Sequence, residues 1–392
     1  MDRVDVAIIG AGVVGLSVAA SAAGEGRSLL VIERHESFGR ESSSRNSEVI
    51  HASIYYPPDS LKGRLCLEGN ERMYRLCAEH GIAHANTGKL VVAWTQEQAA
   101  GLPDLLATAR ANGARGVRIV EGDEVHRLEP RVEAIAALHC PSSGVVDSHA
   151  LMKHFETVAR SRGAVFAYGV EAKAIERRDG GFVVRVAEAS GEPYEFWSRA
   201  LVNSAGLESG RVAALCGIDQ DEALYRIHYR KGMYFRAHRK LARYPRMLVY
   251  PFPPDRSTVG IHTVPDLAGG MRLGPYDVWS PTVEYGVDAS LLDRFLEACR
   301  PWLPFLEAGD LQPDMAGIQA KRYGPGEPAR DFVIREESDR GLPGLIDLIG
   351  IESPGLTASP AIGPHVARMV DEILGWTTKT PRHQEEHSSM KG

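Results

Sequence analysis

Apolar residues fall along the chain in two rhythms. Short runs rich in Val, Ile and Leu, interrupted only by Asp5, Asn203, Ser204 and Asp347, stand at 4–9, 29–32, 200–204 and 345–349. Runs of that length without alternation read as strands buried on both faces. The first is followed by a glycine-rich turn at 10–15 and a helical stretch at 16–23, so the chain opens with a β-α-β unit and predicts a parallel sheet. Helical spacing returns at Leu61, Leu65, Met73 and Leu76, after Asp59 or Ser60 as a cap and before Gly81 as a stop. It returns again at Leu151, Phe155 and Val158, behind Ser148 as a cap and before Gly163, and once more from Asp288 through Cys299. Strand patterns fill much of the remainder. Residues 90–94 form one; 165–168, 182–186 and 194–197 read as a meander; 231–237, 247–250, 258–262 and 315–321 follow. Residues 350–359 lead into a last helix, with Pro360 suited to its first turn.

Parallel-sheet runs therefore sit at the start, the middle and the end, with antiparallel patterns between them. The expected fold class is α/β with an α+β second domain. A Rossmann-like nucleotide-binding domain takes 1–84, 145–228 and 325–376. A discontinuous, mostly antiparallel substrate-binding domain takes 85–144 and 229–324, and 377–392 reads as a disordered polar tail. A chain of 392 residues with 44% apolar and 24% charged residues has room for both cores. A net charge of −6 and the absence of a basic run argue against nucleic acid as a partner. Five scattered cysteines without a Cys-x-x-Cys pair point to reduced, buried thiols, with no metal site or disulfide framework expected. No apolar run reaches the length of a membrane span, and 6–23 lacks the basic leader of a signal peptide. The cytoplasm is the expected location, with room left for peripheral contact at the inner membrane. Oligomeric state is not legible.

Chemistry begins at the first turn. Gly10-Ala-Gly12-Val13-Val-Gly15 follows a strand and opens a helix. Gly10 allows the tight turn, Gly12 lets the backbone approach a pyrophosphate, and Gly15 lets helix and strand pack closely. Glu33, with Arg34 after it, ends the second strand, where an acid takes ribose hydroxyls and disfavours a 2′-phosphate. A nicotinamide fold would continue with further β-α-β units. This chain turns instead into Ser43-Ser44-Arg45-Asn46-Ser47 and on to His51, Tyr55 and Tyr56, and the sheet resumes only at 200–206. That run ends in Ser204-Ala205-Gly206, small enough for a cofactor to pass. The order of parts favours FAD over NAD.

The motifs SRNSEVIHASIYYP at 44–57, SLKGRLC at 60–66, SSGVVDS at 142–148, VGIH at 259–262, AGIQAK at 316–321 and GIESPGLTAS at 350–359 carry a resemblance. The chain resembles the D-amino-acid-oxidase-like (DAO) superfamily of flavoproteins, and within it the L-2-hydroxyglutarate dehydrogenases and oxidases. The resemblance implies noncovalent or covalent FAD, an L-2-hydroxy acid as substrate (L-2-hydroxyglutarate favoured), and a quinone or O2 as electron acceptor. An amine or amino-acid oxidase on the same scaffold, or a flavin-dependent tRNA-modifying or assembly protein, are the other readings. The family often has glycine where this chain has Glu48, Ser53 and Pro360.

Oxidising a 2-hydroxy acid needs a proton acceptor and a grip on the carboxylate. His51 is the leading candidate base and His262, at the end of an expected strand, the rival. Either one could instead support the flavin ring or serve as a structural hydrogen-bonder. Lys321 could hold a carboxylate or sit near the flavin, with Arg322 facing the other way. Tyr234 and Lys231 are candidates for a distal carboxylate. Tyr250 and one of Tyr55 and Tyr56 are candidate hydroxyl donors. Ser43, Ser44, Arg45, Asn46 and Ser47 would face phosphate or ribityl groups. Val170 would meet adenine. The stretch Gly350, Ile351, Glu352, Ser353, Pro354, Gly355, Leu356 and Thr357 would bring a helix N-terminus to the flavin pyrimidine.

Overall fold

The computed structural model describes residues 1–188, 193–238, 245–253 and 259–375; the expected tail, and Thr258 of the expected strand 258–262, lie outside them. Five strands run parallel in the largest sheet, in the order Val165–Tyr168, Leu29–Glu33, Asp2–Ile9, Pro193–Asn203, Leu342–Ile349, with Val333–Glu337 antiparallel at the edge. The inner ends of Asp2–Ile9 and Leu342–Ile349 are buried residue after residue, which is why no alternation shows in their sequences. Helices Val13–Ala22, Ser148–Ser161 and Gly355–Leu374 cover one face and share one hydrophobic core with it. The first and last of these helices touch closely: the Ser17 hydroxyl donates to the Ser359 carbonyl at 2.7 Å.

Several elements differ from expectation. Val165–Tyr168 is not part of a meander. It pairs in parallel with Leu29–Glu33, and the meander is Val170–Arg178, Gly181–Glu188 and Pro193–Asn203. Gly169, at φ 71°, breaks Val165–Tyr168 from Val170–Arg178. The runs at 194–197 and 200–204 are one long strand, whose first half pairs with the meander and whose second half enters the parallel sheet. Asp147, not Ser148, caps the next helix, accepting from the Ala150 amide at 2.8 Å. Pro360 lies in the second turn of its helix, which starts at Gly355. The Leu356 carbonyl left without an amide partner accepts from the Ser359 hydroxyl at 2.8 Å instead. Gly260, at φ 72°, interrupts the expected strand 258–262, so His262 opens the strand His262–Pro265 rather than ending one.

Two further sheets have four strands each. One is antiparallel, ordered His262–Pro265, Met271–Ser280, His228–Ala237, Leu311–Lys321. The other is ordered Leu248–Pro251, Lys89–Ala93, Ala136–Cys140, Arg118–Glu121. A helix at Gln96–Ala111 flanks the latter. Its signal, Thr95 and Gln98 as a reciprocal capping box, stood in the sequence.

One buried acid makes the fold pH-sensitive. Asp347 on Leu342–Ile349 accepts from the Asn203 side-chain amide at 2.7 Å. Beside it, Glu337 is held by the Tyr225 hydroxyl, Arg335 and Arg340. Burial pushes the Asp347 carboxyl up to about 7, against the Asn203 hydrogen bond and with the help of Glu337's negative charge. Its native form holds a proton that the unfolded chain, titrating near 4, has already lost. The associated stability is whole below about pH 4 and is gone once pH has risen through about 7. The wild-type melting temperature is therefore expected to fall by several degrees relative to Asp347→Asn between mildly acid and mildly alkaline pH. Parallel melting curves for the two proteins across that range would refute it.

Candidate active site

The carboxyl ends of the parallel strands open onto a long cleft. One lobe, about 680 Å³, is lined by Gly10, Glu33, Arg34, Val170, Ala205 and Gly206. The other, about 1280 Å³, is lined by His51, Tyr234, Tyr250, His262 and the segment 351–356. The lobes share Gly12, Ser42, Ser43, Ser204 and Gly206, so they form one trough bent around the first turn.

That turn is built of backbone in contact with backbone. A Cβ on Gly10, which sits at φ 105°, would stand 2.6 Å from the Ser204 carbonyl oxygen. A Cβ on Gly15 would stand 2.0 Å from the Gly10 carbonyl oxygen. Only glycine permits this closeness. The helix after it has no acid in its first turn, and the Val13 amide donates to the Ser43 hydroxyl at 3.0 Å. A dinucleotide pyrophosphate suits this end, where the positive end of a helix dipole meets the trough. Glu33 accepts from the Ala11 and His35 amides, at 2.8 Å and 3.0 Å, which aims it at the smaller lobe. Arg34 is paired with Glu41 and Glu208.

The loop that replaces further β-α-β units is a short 3-10 turn, Ser42–Ser44, tied across to the antiparallel sheet. Ser42 donates to the Ile318 carbonyl at 2.7 Å, and a Cβ on Gly317 would lie 1.9 Å from the Arg45 carbonyl oxygen. The Asn46 amide closes the turn onto the Ser42 and Ser43 carbonyls. Ser44 is exposed and its hydroxyl donates to Glu41, so it faces away from the cleft, contrary to expectation. Arg45 lines the cleft with its guanidinium 4.1 Å from the centre of the Tyr285 ring, and its buried Nε finds no hydrogen-bond partner among the described residues. Ser47 and Tyr234 share a hydrogen bond of 2.7 Å.

Both histidines reach the larger lobe. His51 is fixed by its backbone: its amide donates to Thr357 Oγ1 and its carbonyl accepts from Asn70. Its ring lies 3.4 Å from the Ser353 hydroxyl. His262 is stacked flat on Tyr250, ring centres 3.7 Å apart at 9°. Its Nδ1 is 3.2 Å from the Thr263 carbonyl oxygen, which can only accept, so Nδ1 carries the hydrogen and Nε2 keeps its lone pair. Burial pushes His262 down to about 3, partly offset by that carbonyl, with the Lys89 charge adding to the fall. His51 is likewise held well below its usual value by burial, then by Lys89 and His262. Both imidazoles are neutral.

The remaining candidates divide. Tyr234 and Tyr250 line the cleft; Tyr55 and Tyr56 do not. The Tyr55 hydroxyl is buried without a hydrogen-bond partner among the described residues, while Tyr56 is directed at Ser353. Lys231 faces away from Tyr234, as their spacing requires, and pairs with Glu284. Lys321 is not free for a substrate: it pairs with Glu352 at 2.8 Å, and Lys62 pairs with the same carboxylate. Glu352, Ile351, Ser353, Pro354, Gly355 and Leu356 line the cleft, whereas Thr357 is buried behind it and Gly350, at φ 69°, makes the turn. Sequence reasoning missed Ser42, Asp277 and Gln319 as lining residues, and the buried Lys89.

Glu48 and Ser53, where the resemblance leads one to expect glycine, have φ of 55° and 59°. Side-chain bonds hold them in this left-handed region: Glu48 accepts from the Ser148 amide and hydroxyl, and Ser53 donates to the Gly63 carbonyl at 2.8 Å.

A profile described as FAD dependent oxidoreductase (DAO) matches residues 5–369. The chain belongs to this family. It is 37% identical over 93% of its length, and 83% of the other's, to the mitochondrial L-2-hydroxyglutarate dehydrogenase of Arabidopsis thaliana. It is 31% identical to the Homo sapiens protein of that name, over 94% and 89% of the two chains. Among solved structures, FAD-bound L-alpha-glycerophosphate oxidase from Mycoplasma pneumoniae superposes with a TM-score of 0.83 at 23% identity, over 97% of each chain. The DAO chain described here is thus an enzyme with FAD as its cofactor and a Rossmann-like FAD domain joined to a substrate domain. Among the described residues, no helix is long and apolar enough to cross a membrane.

Proposed function

We propose that this enzyme oxidises an L-2-hydroxy acid to the 2-oxo acid, with L-2-hydroxyglutarate the favoured substrate. The observation that carries the chemistry is the His262 imidazole: neutral, on the cleft wall, with Nδ1 bonded to a carbonyl and Nε2 unprotonated. The identity to proteins named L-2-hydroxyglutarate dehydrogenase supports the substrate. Gly10, Gly12, Val13 and Ser43 would hold the pyrophosphate, Glu33 the ribose, and 351–356 the flavin end. When bound, FAD supplies the acceptor for the α-hydrogen and its electron pair. His262 Nε2 takes the hydroxyl proton as the carbonyl forms, and the Tyr250 stack keeps the ring from turning. Tyr234, braced by Ser47, offers a hydroxyl to the substrate in the same lobe. His51 lies against the 350–355 turn and supports the flavin end.

The test is anaerobic reduction of the purified holoenzyme by a panel of L- and D-2-hydroxy acids and amino acids, followed by loss of flavin absorbance. Bleaching by L-2-hydroxyglutarate ahead of the rest is expected. Bleaching by amino acids alone would replace this reading with an amine-oxidase one.

A further inference from the structure

Lys89 opens the strand Lys89–Ala93 and is wholly buried, 0% exposed. Among the described residues its ammonium has no hydrogen-bond partner and joins no ion pair. It lies instead 3.8 Å from the centre of the Tyr250 ring and 5.6 Å from that of Tyr55. Tyr250 is the ring on which His262 stacks, and both line the cleft. An isolated buried charge is strongly unfavourable unless something compensates it. The described residues lining the substrate lobe include one cation, Arg45, which stacks on Tyr285 near the first turn, beside the acids Glu48, Asp277 and Glu352, the last of them paired with Lys62 and Lys321.

We propose that Lys89 is a positioning residue: its buried charge is the counter-charge of an anionic substrate bound against the Tyr250–His262 stack, and it selects carboxylates over neutral alcohols. The proposal rests on the reading of the site as one for 2-hydroxy acids. The groups facing Lys89 are the Cys66 and Cys140 thiols, the Tyr55 and Tyr250 phenols, and the His51 and His262 imidazoles; Tyr56 and Tyr234 face Tyr250 from neighbouring segments. Burial brings Lys89 down to about 8, so it is mostly charged at neutral pH. Burial raises Cys66 to about 12 and all four tyrosines above their usual value, and both imidazoles are neutral. A change in anion affinity near pH 8 that disappears in Lys89→Met reports Lys89.

The experiment measures the dissociation constant of succinate, and of its neutral dimethyl ester, by perturbation of the holoenzyme's flavin spectrum from about pH 6 to about pH 10. For the wild type, succinate affinity is expected to fall about tenfold as pH rises through the Lys89 value, while the ester stays flat. Lys89→Met is expected to bind succinate about tenfold more weakly at neutral pH with no alkaline fall, leaving the ester unchanged. Lys89→Arg should restore succinate binding and keep it through the alkaline range. A flat wild-type profile overturns the proposal, as does an equal loss for succinate and ester in Lys89→Met. If Lys89→Met fails to fold, the wild type and Lys89→Arg still decide. Failure of every 2-hydroxy acid to bleach the flavin, with the succinate profile as expected, would sink the oxidation reading and leave the Lys89 role standing.

Discussion

Replacing His262 with asparagine is expected to slow anaerobic flavin reduction by L-2-hydroxyglutarate by about 10²–10⁴-fold, the usual range for loss of a positioned general base. The argument runs through the tautomer. The Thr263 carbonyl fixes hydrogen on Nδ1, Tyr250 fixes the ring plane, and burial keeps the ring unprotonated, so one lone pair remains to receive a proton. Asparagine can accept a hydrogen bond there but cannot take the proton. Its holoenzyme spectrum is expected to change little, because holding the flavin needs no base. His51→Asn is the companion variant. Its ring rests near Ser353 at the flavin end, so it should alter the flavin spectrum more than the reduction rate. A His262→Asn enzyme reduced at the wild-type rate, beside a His51→Asn enzyme that is not, would exchange the two roles.

The site was legible where chemistry demands a residue type and illegible where it depends on company. Gly10, Gly12 and Gly15 announce themselves because a Cβ there would strike neighbouring backbone or side-chain atoms. Glu48 and Ser53 were visible as departures from a glycine pattern, and their positive φ explains why glycine is the simpler choice. Lys321 and Glu352 were each singled out, but not as partners. Thirty-one positions separate them, and only the meeting of Leu311–Lys321 with the turn before the last helix joins them. Lys89 gave no signal at all: a lysine at the head of an apolar strand reads as a solvated strand end. Its burial follows from strand Leu248–Pro251 lying beside Lys89–Ala93, a pairing between segments far apart in the sequence.

The fold shows the same division. Buried parallel strands were readable from their own residues, since burial on both faces removes polar positions. The placing of Val165–Tyr168 was not, because its edge position in the parallel sheet is set by its neighbour, Leu29–Glu33, and not by its own alternation. The strand at 194–204 was read as two because Arg199 interrupts its apolar pattern where the chain passes from the meander to the parallel sheet. A local pattern cannot report a change of partners in mid-strand.

Glu352→Gln is expected to lower the melting temperature of the holoenzyme by roughly 5 °C or more and to weaken its hold on FAD. Glu352 lies in the cleft wall with both Lys62 and Lys321 on its two carboxylate oxygens, and all three side chains are largely buried. Burial alone would raise the Glu352 carboxyl, but the two ammonium groups hold it below its usual value. Lys321 is raised by the same pairing, although its own burial opposes the charge. The amide leaves two buried cations facing each other without a counter-charge, a loss of about 3–5 kcal/mol for a broken buried pair. Lys62→Met should cost much less, since the Lys321–Glu352 pair survives it. The sign in pH follows from the lowered carboxyl: its contribution is present above the unfolded value near 4.3 and is lost as pH falls through the lower native value. Wild type and Glu352→Gln should therefore converge in stability toward strong acid and separate above about pH 4.3. Equal melting temperatures at neutral pH would show that the triad contributes nothing to the fold. A Lys62→Met variant as damaged as Glu352→Gln would show that geometry, rather than charge balance, holds the turn at 350–355 in place.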